Sequence, residues 1–527
     1  MDNELDSIKK TTTLGGEIRK INWKFASRNI DDDFHTDIVF LRVSVRELAQ
    51  FASISHDRAL LHYKGFCGDF FYPEESSKKI CESIINRLVE NPEWGDHINE
   101  QIVIRSRMLE ENWFGISNYL DFSKLSNNEV KEIYISQLNS QRFLYQAAWI
   151  PEVFQSKKYG LTNFLIRQLE GMFTDEVERN QIFQILTTST QPSIYIELEQ
   201  ELYNLASKII KSDKLRELFS LPDKYLRMSL PSSVNEKLYD LERQFSFLGY
   251  HGFGPRRAYD FDYYLFRLIE LIKDNDVYLE TKKNLELKSC TLRQKEEIIQ
   301  KGKIKPQLAK IFQVYSDFAV SKARRRLAQL RNFYFLDKLI FDISLRLKVP
   351  ESIIRFMMPE EIVDALNGGI VVPSSIEPRT KEMIYYVDDT NDEIIVEPKL
   401  ISAITKENSE PDDFSNNEIR GIAASGGYVV GRAMKITRFA DYEDVLFDEG
   451  LILVTIEADP DLLPVMKKSI AVITDQGGIT CHAAVIAKEF NIPCVIGTEI
   501  ATKYINTGDL LEVDASRGLI KIINEQI

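Results

Sequence analysis

The stretch Gln476–Gly497 reads QGGITCHAAVIAKEFNIPCVIG and holds His482, one of six histidines in 527 residues. Imidazole is the side chain best suited to accept and hand on a proton or an electrophile near neutral pH. Its setting narrows the chemistry. The apolar run IAVIT ends at Thr474, and Asp475-Gln476-Gly477-Gly478 is turn chemistry whose glycines let backbone approach backbone or a ligand closely. Thr480 is the predicted N-cap of a helix Thr480–Phe490, ended by Asn491 and Pro493. His482 then falls in the first turn. Free N–H groups and the positive end of the helix dipole favour an anion there and keep the ring neutral and nucleophilic. This suits catalysis through phosphohistidine, with Gly477, Gly478 and Thr480 around the phosphoryl group. Position alone also fits a histidine that simply caps its helix. Cys481 next to it reads as a small side chain packed beside the loop rather than as a second nucleophile.

The elements around this segment are short β-rich runs: Tyr428–Val430, Leu451–Ile456, Ile470–Thr474, Cys494–Ile496 and Leu510–Val513. They predict a small α/β domain over 417–527. Before it, Thr405–Arg420 (TKENSEPDDFSNNEIR) is polar and too poor in apolar residues to fold alone, so 405–416 is expected to be a linker on which the α/β domain swivels. From 111 to 404 the pattern is helical. Ser321–Leu347 has Leu327, Leu330, Tyr334, Leu336, Leu339, Ile340 and Ile343 at three- and four-residue spacing, with no glycine or proline. Asn235–Phe247 and Phe261–Ile272 read the same way. Residues 1–110 are mixed, with stretches such as Asp37–Leu48 between polar turns. The expected fold is multidomain: a mainly α-helical body followed by a C-terminal α/β domain.

Bulk properties exclude several classes. The net charge of −14 argues against nucleic acid or an anionic membrane as partner. Five scattered cysteines without CxxC spacing indicate neither a disulfide framework nor a zinc site, and no metal is expected. With no apolar run of membrane-spanning length and a polar N-terminus, a cytoplasmic location is expected.

Leu451–Thr498 resembles the mobile phosphohistidine domain of the phosphoenolpyruvate-utilising enzymes: phosphoenolpyruvate synthase, pyruvate phosphate dikinase and the rifampicin phosphotransferases. The residues that carry the likeness are Ala458-Asp459-Pro460-Asp461, Pro464 and Gly477-Gly478-Ile479-Thr480-Cys481-His482-Ala483-Ala484. Upstream, Gly421, Ser425, Gly427, Val429, Gly431 and Ala433 fit the family pattern, as do Gly508-Asp509, Val513-Asp514 and Gly518 downstream. The resemblance implies that His482 is the phosphoryl carrier of a swivelling domain. More weakly, Phe247–Asp260, Lys322–Leu347 and Glu351–Leu366 resemble the acceptor-binding domain of the rifampicin phosphotransferases. The match departs in detail: His251-Gly252-Phe253-Gly254-Pro255 is followed by Arg256-Arg257, and Lys322 and Arg326 keep charge but not identity, so rifamycin is not inferred.

A phosphoryl group in transfer spreads negative charge that positioned cations stabilise. Lys322, Arg326, Arg256 and Arg257 are the phosphate-binding candidates, and His251 is a candidate general base for an acceptor hydroxyl. The chain runs only about 45 residues past His482, and its first 110 residues are short for an ATP-grasp unit and lack a Gly-rich phosphate loop. Neither an ATP-grasp domain nor a phosphoenolpyruvate barrel is therefore expected. No tightly bound cofactor is expected, with Mg-ATP reaching the site only through a separate ATP-grasp partner and a small hydroxyl compound as acceptor. The function expected is that of a phosphotransferase subunit. A self-contained transferase with another donor, and a non-catalytic carrier or regulatory protein, remain open.

Overall fold

The computed structural model describes residues 18–30, 34–65, 67–117, 120–153, 159–189, 191–249, 259–301, 304–407, 417–437, 450–458, 462–479 and 481–523. The expected sites His251, Arg256, Arg257 and Thr480 lie outside the described residues, as do 408–416 of the expected linker 405–416; its first three residues instead end the helix Pro398–Glu407. No helix among the described residues is long and apolar enough to cross a membrane.

The chain divides into two compact units. One takes in the described parts of Met1–Phe164 and Ala328–Asp412; the other takes in those of Leu165–Tyr250, Pro255–Leu327 and Asp413–Ile527. Grouping by packing thus departs from grouping by sequence texture. The C-terminal α/β part shares a unit with helices from 165–327. The helix expected over Ser321–Leu347 is the end of a 42-residue helix, Pro306–Leu347, that contributes to both units. With no breaker inside it, one helix runs on through two cores.

The first unit holds a fully antiparallel five-stranded sheet in the order β1-β3-β2-β4-β5. Its strands are β1 (Trp23–Ile30), β2 (Arg58–Lys64), β3 (Cys67–Pro73), β4 (Glu382–Asp388) and β5 (Asp392–Ile395). The last two correct the reading of 111–404 as helical. Met383–Val387 is buried at every position, and so short an apolar run does not tell strand from helix by its period. Asp37–Leu48, left as an apolar stretch, lies largely in a helix over Phe34–Arg46 whose Phe34, Ile38, Leu41 and Val45 are buried.

In the second unit, Ser232–Phe245 and Phe261–Lys273 form the expected helices. Between Ile194 and Ile210 runs the tyrosine helix, capped by the Ser193 side chain. The five C-terminal runs become strands β8 (Tyr428–Ile436), β9 (Ile452–Thr455), β10 (Ala471–Thr474), β11 (Cys494–Ile496) and β12 (Leu510–Asp514), joined by three that the sequence reading did not include, β6 (Glu418–Arg420), β7 (Ile422–Ser425) and β13 (Leu519–Ile523). They lie in the order β6-β13-β12-β8-β9-β10-β11-β7. β8 to β11 are parallel, and the flanking pairs are antiparallel. Ile452, Val454, Ala471, Ile473 and Val495 fill the core beneath, which fits strands buried on both faces.

Candidate functional site

β10 delivers the chain to the histidine helix, His482–Phe490, through the turn 475–481. That turn lies off the carboxyl end of a parallel strand, where open α/β sheets bind their ligands. The backbone fixes it at several points. Asp475 N–H donates to Thr455 O at 3.1 Å and Gln476 N–H to Ile456 O at 2.8 Å. The buried Asp475 carboxylate accepts from Thr498 Oγ1 at 2.8 Å and from the Thr502 hydroxyl, tying the turn to the next crossover. Gly477 sits at φ +105°, and a Cβ there would lie 2.6 Å from Cys481 Sγ. Only glycine satisfies both demands. The glycine expected to approach a ligand is thus already required by the cysteine.

The helix starts one residue later than expected for a Thr480 cap. Cys481 occupies the N-cap position with no side-chain cap bond, and His482 is the first helical residue. Asn491 ends the helix in the left-handed conformation at φ 54°, as its type predicts. The Cys481 thiol faces the Ala484 and Ala483 N–H groups of the first turn. Burial pushes its pKa above the ordinary thiol value, and the N–H groups and the Lys322 charge offset this only in part. A thiol held protonated is a poor nucleophile, in keeping with the packing role read from sequence.

His482 is half-buried, and its ring meets Tyr195. The tyrosine hydroxyl is 2.5 Å from His482 Nε2, with the rings edge-on at 78° and centroids 5.2 Å apart. Three further polar pairs flank this contact. Ser193 donates through Oγ to Glu489 Oε2 at 2.5 Å and through its N–H to Oε1 at 3.3 Å. Lys488 Nζ donates to Thr187 Oγ1 at 2.7 Å. Glu199, one turn beyond Tyr195 and 1% exposed, pairs with Lys467 Nζ at 2.6 Å and Arg267 Nη2 at 3.0 Å. Burial drives the Glu199 carboxyl up, but the two cations outweigh it and its pKa falls below the ordinary value. Sequence reading found none of these partners. Tyr195 lies 287 residues before the histidine, on a helix whose pattern reads only as amphipathic.

Of the predicted cations, Lys322 is half-buried on the Pro306–Leu347 helix and near enough to act on the Cys481 thiol. Arg326 follows four residues later, one turn along the same helix, and is also half-buried. Between them, Arg324 forms a bidentate pair with Glu197 of the tyrosine helix at 2.6 and 2.7 Å. The first unit holds a cavity of about 350 Å³ near Glu377, Lys381 and Glu382, which none of the predicted site residues lines.

Two further lysines matter here, Lys488 on the histidine helix and Lys295 on the helix Asn275–Gln300. Burial first, and the nearby Lys295 charge second, bring Lys488 down to about 7; burial brings Lys295 down to about 8. Lys488 is half-buried as a residue, but its ammonium is closely surrounded. Both folded values lie below the ordinary 10.5, so between about pH 7 and 10.5 the unfolded chain binds more protons than the folded one. Stability should therefore rise with pH through this window, with the cost fully present below it. We expect urea midpoints to increase between about pH 7 and pH 9 and Lys488→Met to flatten that rise. An equal slope in the variant would show that Lys488 is charged throughout.

Comparison with known proteins converges on the same segment. Residues 447–518 match the family described as PEP-utilising enzyme, mobile domain. A probable phosphoenolpyruvate synthase of Archaeoglobus fulgidus is 37% identical over 132 residues, covering 24% of this chain and 17% of that protein. The phosphoenolpyruvate synthase of Pyrococcus furiosus is 38% identical over 171 residues, covering 32% of this chain and 21% of that protein. The matched stretches thus span about a fifth of these relatives' own length. A solved aconitase X from Thermococcus kodakaraensis shares 20% identity over 20% of this chain and 98% of that chain, at a TM-score of 0.17, too slight a likeness to build on. The part of the chain that positions His482 thus matches, over residues 447–518, the mobile domain of the PEP-utilising enzymes.

Proposed function

We propose that the chain is a phosphotransferase subunit in which His482 carries a phosphoryl group from donor to acceptor. The observation that supports this most is the coincidence of the mobile-domain match with a histidine at the first helical position, off the end of a parallel strand. The donor in this reading is ATP, used by a separate ATP-grasp protein. The acceptor is a small hydroxyl compound bound by the helical part of the chain. Phosphoenolpyruvate synthase is the name carried by the curated relatives, which supports phosphoryl chemistry at this domain.

Lys322 in this reading stabilises the charge of the group in transfer, supported by its nearness to the turn before His482. The test is a two-step assay. Labelled ATP with an ATP-grasp protein of the pyruvate-binding type should give an acid-labile, base-stable label on the chain, and Mg-ATP alone should give none. Lys322→Ala should accept label normally but pass it on about 10² to 10³ times more slowly, the usual effect of losing one charge-stabilising donor. A label stable to acid would overturn the carrier reading. Equal loss of loading and delivery would make Lys322 structural.

A further inference from the structure

The contact between Tyr195 and His482 engages the very nitrogen that a carrier needs. Nε2 is the ring nitrogen farther from the backbone, so it is the one best placed to reach another active site. It lies 2.5 Å from the tyrosine oxygen, with a single hydrogen between the two atoms. Whichever atom holds that hydrogen, no lone pair of Nε2 is open. Nothing fits between atoms at that separation, so a phosphoryl group on Nε2 and this bond exclude each other.

Tyr195 is not a chance neighbour. It is 1% exposed, and its ring packs edge-on against the imidazole. Its helix grips the C-terminal part on both sides of the contact, through Ser193 to Glu489 and through Glu199 to Lys467. Thr187, before the helix, takes the bond from Lys488. The histidine helix is thus held in one pose by side chains whose geometry converges on the ring.

We propose that the Tyr195 hydroxyl and the phosphoryl group compete for His482 Nε2, so that the tyrosine helix docks the discharged carrier and loading undocks it. Tyr195 touches the reacting atom and sets when it is available. In delivery, the acceptor hydroxyl oxygen bonds phosphorus and gives up its proton to solvent while the nitrogen–phosphorus bond breaks; its electron pair returns to Nε2, and the tyrosine bond re-forms. The phosphoryl half of the idea rests on the carrier reading above; the masking of Nε2 does not.

The experiment uses the full chain. Diethyl pyrocarbonate acylates neutral imidazole through an open nitrogen, and mass spectrometry of peptides follows each histidine separately. His97, which is exposed, serves as the reference. Tyr195→Phe keeps the ring and removes the hydroxyl, and should speed acylation of His482 about three- to tenfold relative to His97, the factor expected from one net hydrogen bond. It should also change the pH profile of the His482 rate, which a purely structural role would not. Equal rates and profiles in the two proteins would overturn the proposal. A second arm uses the unaltered sequence, so it stands even if the variant folds poorly. Phosphoramidate, a small phosphoryl donor, is used to load His482, and amide exchange is compared before and after. Exchange across 193–199 and 482–490 should rise on loading, and unchanged exchange would overturn the competition. Failure of phosphoramidate to label His482 would count against the carrier reading, while the acylation arm still decides whether Tyr195 masks the ring.

Discussion

His482→Ala should lose all acid-labile label while keeping its fold. Neither Cys481 nor Tyr195 offers a substitute site. The neighbouring thiol is held protonated by burial, and the Tyr195 hydroxyl belongs to a different helix and bonds to the histidine itself. The fold should survive because alanine is the best helix former, and alanines already follow at 483 and 484. The half-buried ring leaves no large sealed cavity behind, and the lost bond to Tyr195 contributes only about 0.5–1.5 kcal/mol net. Autoradiography after alkaline and acid treatment, together with thermal unfolding, reads both halves. A variant that labels like the parent would show that His482 is not the carrier.

The second large effect is on stability. Glu199 is buried and faces Arg267 and Lys467, whose side chains are 13% and 18% exposed. Glu199→Ala removes the buried carboxylate that these two cations share, while Arg267 keeps its pair with Glu270 at 3.2 Å. Breaking a buried pair in this way costs about 3–5 kcal/mol. The loss should be local. Lys467 belongs to the short helix Leu463–Lys468 in the C-terminal part, so amide protection should fall there and along Ile194–Ile210, while the five-stranded sheet stays protected. Glu199→Gln should be milder, because it keeps the shape and one acceptor. If Glu199→Ala unfolds at the same urea concentration as the parent, the ion pair does not persist in solution.

The sequence made some of this legible for physical reasons. Five of the C-terminal strands announce themselves as short apolar runs between turn residues, whereas β6, Glu-Ile-Arg, is too short and polar to do so, and Asn491 marks the helix end because asparagine tolerates the left-handed conformation. Gly477 could be singled out because a positive φ favours glycine. The start of the helix misled. Threonine is the better cap by type, but Cys481 takes the position in the fold, where it closes over Gly477. β4 is not legible because its partner β2 lies far upstream and local pattern carries no information about so distant a pairing, and β5 pairs with β4 alone. Tyr195 was missed for the same reason: its helix shows which residues face inward but not what they meet.

The carrier side of the docking contact is assembled from separate segments, since Lys467 lies on one helix and His482, Lys488 and Glu489 on another. On the opposing side, Thr187, Ser193, Tyr195 and Glu199 all fall within thirteen positions of sequence, 187–199. The address is therefore written in a single stretch of chain. Natural variation can retune the grip by altering that stretch alone, without touching the strands that build the carrier. A synthetic peptide copying it carries the four side chains that meet His482, Lys488, Glu489 and Lys467, though not Asn180 and Gln184, which bond Ser516, Ala423 and Gly426.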